Sequence, residues 1–167
     1  MSSSPAAARY AVFSHGQEGS PWGRKIAALA EVARSEGYEP ESVDCRGMES
    51  PRDRLAKLVE TCRDLSGEVV LVGSSLGGYV SLAAASLLHA RGVFLMAPAI
   101  YMEGLPPLKE KVIDCPMTLV HGWHDDVVPY EHSVRFAREY NAALHLLDDD
   151  HRLHYMEIGR ASCRERV

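Results

Sequence analysis

Residues 68–78 read Glu-Val-Val-Leu-Val-Gly-Ser-Ser-Leu-Gly-Gly, and this stretch decides the class of fold. Its first half is a short, partly β-branched apolar run, which is typical of a buried parallel strand. Its second half opens a segment, residues 76–89, that is small and apolar almost all round, as in a helix buried against a sheet. A strand that turns directly into such a helix predicts an α/β fold.

Strand and helix patterns alternate on both sides of this stretch. Apolar runs bounded by glycine, proline or charge predict strands at residues 10–14, 41–45, 69–72, 92–96, 117–121 and 143–147. Amphipathic spacing predicts further helices at residues 25–35, 53–65 and 130–140. The order predicts a parallel sheet of about six strands with helices on both faces.

Composition places the chain among soluble globular domains. Its 167 residues suit one domain, and 46% hydrophobic residues can build a core. A formal charge of −5 without a basic run argues against a nucleic-acid partner, and no apolar run is long enough for a membrane span. We expect no secretory signal, because residues 1–9 contain no apolar segment, and the four cysteines have no paired spacing (Cys45, Cys62, Cys115 and Cys163). We therefore expect a cytoplasmic protein.

The C-terminal residues 157–167 differ from the rest of the chain. They have no apolar period, carry five charges in eleven residues, and match the translation of a widely used DNA sequencing adapter. We therefore expect the domain to comprise residues 1–156, with the natural chain truncated near Met156 and a non-native tail after it.

A G-x-S-x-G motif, Gly73-Ser74-Ser75-Leu76-Gly77, lies between the central strand and its helix. In this context the motif forms a nucleophile elbow, a sharp turn that exposes the serine, here Ser75. Gly73 and Gly77 are the small neighbours that let strand and helix approach each other. The bare pattern is common by chance, so the flanking strand and helix are what favour a nucleophile.

A nucleophilic serine needs a base, and the base needs an orienting acid. The fifth predicted strand leads into Asp125 and Asp126, and the sixth leads into His151. The carboxyl ends of parallel strands share one edge of the sheet, where such folds place their sites. We predict Asp125 as the acid and His151 as the base, with Asp126 left open as the alternative acid.

An acyl-transfer site also needs two N–H donors for the oxyanion. We predict the N–H of Leu76, which follows the nucleophile, and the N–H of Gln17, in the loop after the first strand. Gly16 lets that loop come close, and His15 is expected to brace it.

These segments together resemble a single-domain α/β-hydrolase, similar to the small lidless esterase-like members. The resemblance rests on the first strand with residues 14–16, and on residues 73–77, 121–129 and 150–153. It implies a serine hydrolase that cleaves a carboxylic ester or thioester through an acyl-enzyme, with the triad Ser75, Asp125 and His151. It also implies a small-molecule acyl substrate and no metal or cofactor. The helix expected after His151 is missing or replaced by the tail.

Loop residues with large side chains are expected to ring the cleft: Trp22, Tyr101, Met102, Leu105 and Trp123. Three alternatives remain at this point. One is a carbon–carbon bond hydrolase of the same fold, and another is a non-catalytic binding protein of this fold. The third is a metal cluster, which would leave the elbow unexplained; its ligands would come from His121, His124, Asp125, His151 and His154.

Overall fold

The computed structural model describes residues 7–108 and 113–154. Strands and helices alternate along these residues as β1 (Ala8–Ser14), α1 (Arg24–Ser35), β2 (Glu39–Val43), α2 (Pro51–Arg63), β3 (Gly67–Ser74), α3 (Leu76–Ala85), β4 (Gly92–Met96), β5 (Met117–Gly122), α4 (Tyr130–Tyr140) and β6 (Ala143–Leu147). The strands form one six-stranded sheet in the order β2-β1-β3-β4-β5-β6, and every neighbouring pair is parallel. The predicted six-stranded parallel sheet is confirmed.

The direction of the chain across the sheet reverses once. From β1 the chain moves outward to β2, and it then crosses back over β1 to β3 and continues to β6. Because crossover connections between parallel strands are right-handed, this reversal places α1 on one face and the later helices on the other. The crevice between the carboxyl ends of β1 and β3 is the switch point, where open α/β sheets place their ligands.

Each face of the sheet has its own apolar core. Along β1, Val12 packs on the side of α2, α3 and α4, whereas Ala11 and Phe13 pack on the side of α1. Of the described helices, α3 is the most deeply buried, with nine of its ten residues buried, in keeping with its lack of charged side chains. The prediction of helices on both faces is confirmed.

Several predicted boundaries differ from the structure by two residues or more, among them the end of α3 and both ends of β2. Helix α3 ends at Ala85 instead of residue 89, because the chain passes through turns to His89, whose φ of +48° reverses it. The N–H of Ala90 donates to the Ala85 carbonyl at 3.0 Å and closes this end. Strand β2 occupies Glu39–Val43 instead of residues 41–45, because its register against β1 begins at the pair Tyr10–Glu39.

Helix α2 begins at Pro51, two residues before the predicted start. Ser50 caps it, since the Ser50 side chain accepts a hydrogen bond from the Asp53 N–H at 3.2 Å. Proline suits the first helical position because its missing N–H is not needed there. None of the described helices has the length and apolar character needed to cross a lipid bilayer. The predicted tail, residues 157–167, lies outside the described residues.

Candidate active site

Ser75 occupies the turn between β3 and α3 in a strained backbone conformation. Its φ is +53° and its ψ is −120°, a region that residues with a side chain rarely adopt. Backbone hydrogen bonds hold it there, because the Ser75 N–H donates to the Met96 carbonyl and the Ala99 N–H donates to the Ser75 carbonyl, each at 3.0 Å. Strain fixed in this way is typical of functional sites.

The glycines of the motif are required by close contact. A methyl group at position 77 would lie 2.0 Å from the Ser14 carbonyl oxygen, and one at position 73 would lie 2.5 Å from the Gly77 carbonyl oxygen. Both distances are far below van der Waals contact. Gly73 and Gly77 therefore let α3 pack directly against the ends of β1 and β3, which projects Ser75 from the sheet edge.

The structure brings together the three side chains predicted for the triad. His151 Nε2 lies 3.2 Å from Ser75 Oγ, and His151 Nδ1 lies 2.7 Å from Asp125 Oδ2. Since a carboxylate only accepts, His151 Nδ1 carries the proton and donates to Asp125, leaving Nε2 to accept from the Ser75 hydroxyl. This is the arrangement that activates a serine nucleophile.

The side chain of Asp125 is fully buried, and its carboxylate accepts several hydrogen bonds. Oδ1 accepts from the N–H of Val127 at 2.9 Å and of Val128 at 2.7 Å, and Oδ2 accepts from His151 and from His121. Burial by itself raises the pKa of Asp125, but the N–H groups of Val128 and Val127 and the His151 ring outweigh it, so the pKa lies below its ordinary value. The acid is therefore ionised at neutral pH.

His121 is a second histidine on the same carboxylate. Its Nε2 lies 2.9 Å from both Asp125 Oδ2 and the Val128 carbonyl oxygen, so Nε2 carries a proton and donates. Its Nδ1 lies 2.7 Å from Ser133 Oγ, whose hydroxyl donates to it. Burial lowers the pKa of His121, which agrees with a neutral ring. From the sequence, His121 was predicted only as a possible metal ligand.

The acid and base loops are joined to each other by the backbone. The N–H of Trp123 donates to the Leu147 carbonyl at 2.8 Å, and the N–H of His124 donates to the Asp149 carbonyl at 3.0 Å. Gly122 fits between them, since a methyl group there would lie 2.3 Å from the Asp149 carbonyl oxygen. Backbone hydrogen bonds thus join the loop that carries Asp125 to the loop that carries His151.

The loop after β1 touches the nucleophile. A methyl group at Gly16 would lie 3.3 Å from Ser75 Cβ, so the Gly16 backbone lies directly beside that residue. His15 braces the loop as expected: its Nδ1–H donates to the Gly16 carbonyl at 2.7 Å, and its Nε2 accepts from the Cys45 N–H at 2.9 Å. Burial lowers the pKa of His15, in keeping with this neutral form. Gln17 lines the cavity beside Ser75, and Leu76 begins α3.

Arg54 of α2 lies beneath this loop and was missed by sequence reasoning. Its side chain is 0% exposed, and its Nη1 donates to the carbonyls of His15 at 3.0 Å and Gly16 at 3.4 Å. The available signal was its spacing, because Arg54 precedes the buried Leu58 and Cys62 at intervals of four residues.

A cavity of about 630 Å³ opens beside Ser75 and His151. None of the five residues that were expected to ring the cleft lines this cavity: Trp22, Tyr101, Met102, Leu105 and Trp123. Tyr101, Met102 and Leu105 line a separate cavity of about 440 Å³ with Tyr79. Trp123 packs edge-on against Tyr130, with ring centroids 4.8 Å apart.

The other predicted alternatives have different surroundings. Asp126 is exposed, whereas Asp125 contacts His151. His124 pairs with Asp148 at 2.8 Å. Within residues 7–108 and 113–154, no group of three or more His, Cys, Asp or Glu side chains is arranged to hold a metal ion.

Comparison with known proteins agrees with this architecture. A protein from Xanthomonas campestris pv. campestris, assigned to the alpha/beta hydrolase superfamily, is 34% identical over 90% of this chain and 92% of its own, with a TM-score of 0.81. Est1E from Butyrivibrio proteoclasticus is 21% identical over 93% of this chain and 85% of its own, with a TM-score of 0.76.

The Pyrococcus furiosus esterase Pf2001 shares the fold at 19% identity, over 87% of this chain and 75% of its own, with a TM-score of 0.72. No curated protein matches the chain in sequence. The model of the alpha/beta hydrolase family matches residues 11–163. With that match and the Xanthomonas relative, the chain belongs to the alpha/beta hydrolase family.

Proposed function

We propose that the protein is a serine hydrolase that cleaves carboxylic ester or thioester bonds through an acyl-enzyme. Ser75 is the nucleophile, His151 the general base and Asp125 the acid that orients it. The observation that carries this proposal is the chain of contacts from Ser75 Oγ to His151 at 3.2 Å and from His151 to Asp125 at 2.7 Å.

The reaction follows from this geometry in two halves. Ser75 Oγ attacks the acyl carbon while its proton passes to His151 Nε2, and the carbonyl oxygen becomes an oxyanion facing the N–H groups of Leu76 and Gln17. The tetrahedral intermediate collapses, and His151 gives its proton to the leaving alcohol or thiol. Water then attacks the acyl-enzyme with His151 as base, which releases the carboxylic acid and restores Ser75.

The cavity favours an acyl group of modest size that is neutral or anionic. Its volume of about 630 Å³ lies within the range of small-molecule sites. Of the charged side chains that line it among the described residues, Arg24, Lys25 and Arg152 are cationic and Glu18 is acidic. The chain as a whole is acidic, at −5, so this local balance is opposite to that of the rest of the molecule.

Labelling with a fluorophosphonate tests the nucleophile, and a panel of p-nitrophenyl esters of increasing acyl length tests the reaction. We expect the wild type to label and hydrolyse, and the Ser75→Ala and His151→Ala variants each to lose about 10⁴-fold or more in turnover. Full activity in either variant would disprove the triad.

Further arms of the same experiment separate the alternatives. A folded wild type that neither labels nor hydrolyses would favour a non-catalytic binding protein. Cleavage of a β-diketone in place of every ester would favour a carbon–carbon bond hydrolase. Loss of hydrolysis on treatment with a chelator would contradict a mechanism that relies on Ser75, His151 and Asp125 alone.

A further inference from the structure

Arg54 is a buried cation whose partners are all backbone carbonyls. Its side chain is 0% exposed, its Nε donates to the Met48 carbonyl at 2.7 Å, and its Nη1 donates to the carbonyls of His15 and Gly16. Its Nη2 has no hydrogen-bond partner among the described residues. Burial lowers the pKa of Arg54, but a guanidinium stays protonated in proteins.

Such a charge is costly to bury. An ion taken out of water loses its hydration unless a counter-ion and well-aligned hydrogen bonds replace it. Carbonyl dipoles replace only part of this hydration, so a neutral donor at position 54 would tie the same segments together at a lower cost. The placement of the charge therefore calls for an explanation beyond packing.

The carbonyls that Arg54 holds belong to the two peptide units of the loop beside Ser75. The His15 carbonyl shares its peptide plane with the Gly16 N–H, and the Gly16 carbonyl shares its plane with the Gln17 N–H. In a trans peptide the C=O and N–H groups point in opposite directions. When Arg54 draws both oxygens toward α2, both N–H groups turn to the opposite side of the loop.

The opposite side of the loop is the side of the nucleophile. A methyl group on Gly16 would lie 3.9 Å from Ser75 Oγ, and Gly16 and Gln17 both line the cavity that contains Ser75. The Gly16 carbonyl also accepts from His15 Nδ1–H at 2.7 Å and from the Gly19 N–H at 3.2 Å, so three donors fix its direction.

We propose that Arg54 is a positioning residue for the oxyanion hole: it orients the Gly16 and Gln17 peptides and polarises their N–H groups toward the oxyanion formed at Ser75. The proposal rests on the acyl-transfer function proposed above. The positive charge acts through the peptide dipoles, in a buried environment where screening by water is weak. Arg54 therefore stabilises the transition state more than the bound substrate.

The test compares Arg54→Gln and Arg54→Lys with Arg52→Gln, which removes an exposed arginine from the same helix. We expect Arg54→Gln to lower kcat by about 10- to 100-fold, less than the roughly 10²- to 10³-fold cost of losing an oxyanion donor itself. KM should stay within twofold. A trifluoromethyl ketone forms an oxyanion when Ser75 adds to it, so its affinity should fall in Arg54→Gln by about the same factor as kcat. The affinity for the matching alcohol, which forms no oxyanion, should not change.

Arg54→Lys keeps the positive charge but lacks the planar guanidinium that can donate to several carbonyls at once. Its kcat should lie between those of Arg54→Gln and the wild type. It also keeps the test open if Arg54→Gln fails to fold, which thermal melting will show. A folded Arg54→Gln variant with kcat within twofold of the wild type would overturn the proposal. Equal losses of affinity for the ketone and the alcohol would overturn it as well, because they would indicate a general distortion.

A second readout needs no catalysis. The ¹⁵N–¹H resonances of Gly16 and Gln17 should shift in Arg54→Gln and stay in place in Arg52→Gln. If the wild type neither labels nor hydrolyses esters, the proposed function fails, while these resonances still decide whether Arg54 orients the loop. Unmoved resonances in Arg54→Gln would refute the positioning role.

Discussion

His121 Nε2 lies 2.9 Å from Asp125 Oδ2, the same oxygen atom that accepts the hydrogen bond from His151. One carboxylate oxygen therefore serves two imidazoles, one buried and neutral and the other facing Ser75. Because the His121 N–H withdraws electron density from this oxygen, it makes Asp125 a weaker base and fixes the direction of its carboxylate. His121 is thus tied to the acid while remaining remote from the nucleophile.

Replacement of His121 by glutamine should move the pH dependence of hydrolysis. With a weaker or misplaced donor, the pKa of Asp125 rises, the imidazolium formed during catalysis is stabilised, and the acidic limb of kcat/KM shifts to higher pH. Loss of the bonds to Asp125 and Ser133 should also lower stability by about 1–3 kcal/mol. The control is His124→Gln in the same loop, whose ring is exposed and pairs with Asp148. If the acidic limb of the kcat/KM profile does not move in His121→Gln, His121 does not tune the basicity of Asp125.

The choice between the two adjacent aspartates can be tested directly. Asp125→Asn should lower kcat by about 10⁴-fold, because an amide cannot hold the imidazole in the correct tautomer. Asp126→Asn should have a small effect, since Asp126 is exposed and it is Asp125 that contacts His151. The reverse ranking in steady-state kinetics would transfer the acid role to Asp126.

The elbow glycines should tolerate no side chain. Gly77→Ala would place a methyl group 2.0 Å from the Ser14 carbonyl oxygen, so we expect a loss of about 1–3 kcal/mol or more in the free energy of unfolding. Gly92→Ala is the matched control, since a methyl group there would meet its nearest neighbour, the Pro116 carbonyl oxygen, at an ordinary 3.6 Å. Chemical denaturation measures the free energy of unfolding of both variants. Equal values would show that the close contact at Gly77 does not exclude a side chain.

Stability should fall as the pH is lowered from 7 toward 5. The folded state keeps His15 and His121 neutral because burial lowers the pKa of each from its ordinary value of 6.5. The unfolded chain takes up these protons near pH 6.5, so it binds more protons than the folded chain below that pH. The free energy of unfolding then decreases with decreasing pH, by up to about 1.4 kcal/mol per pH unit for each histidine.

The lowered pKa of Asp125 adds a further loss of stability below its ordinary value of 3.8, because the unfolded chain then takes up a proton that the folded chain does not. Urea denaturation at a series of pH values measures the slope. In His15→Asn the slope between pH 7 and 5 should be shallower than in the wild type. A wild-type slope of zero in this window would show that the two histidines are not held neutral.

The sequence predicted the strands and helices well where apolar periodicity is strong and the ends are marked. The bounds of β4, α4 and β6 agree with prediction because glycine, proline or asparagine punctuates them. The end of α3 was misplaced because a left-handed residue at His89, and not a glycine or proline, stops the helix. Strand β2 was misplaced because an edge strand is polar, so its periodicity is weak.

The site was predictable only in part, because local sequence patterns do not show which side chains are brought together by contacts between distant parts of the chain. Chain order and strand ends suffice to select Ser75, Asp125 and His151 as candidates, and the structure brings them together. Arg54 was not found, because a charged residue in a helix is usually solvated and its burial depends on a loop 38 residues away. The residues expected to ring the cleft differ from those that line the cavity beside Ser75, because hydrophobicity does not indicate which loops face a cavity.

The order of the strands along the chain has a consequence for the synthesis of the protein on the ribosome. The nucleophile follows β3, whereas the base follows β6, so Ser75 is synthesised 76 residues before the His151 that activates it. A domain generally folds as a unit, so the sheet edge that brings the two residues together forms only after β6 has been made. A nascent chain that has passed Ser75 but not His151 therefore carries a serine without its base. On the proposed mechanism, acyl transfer therefore cannot begin until the last strand of the sheet and the His151 that follows it have been translated.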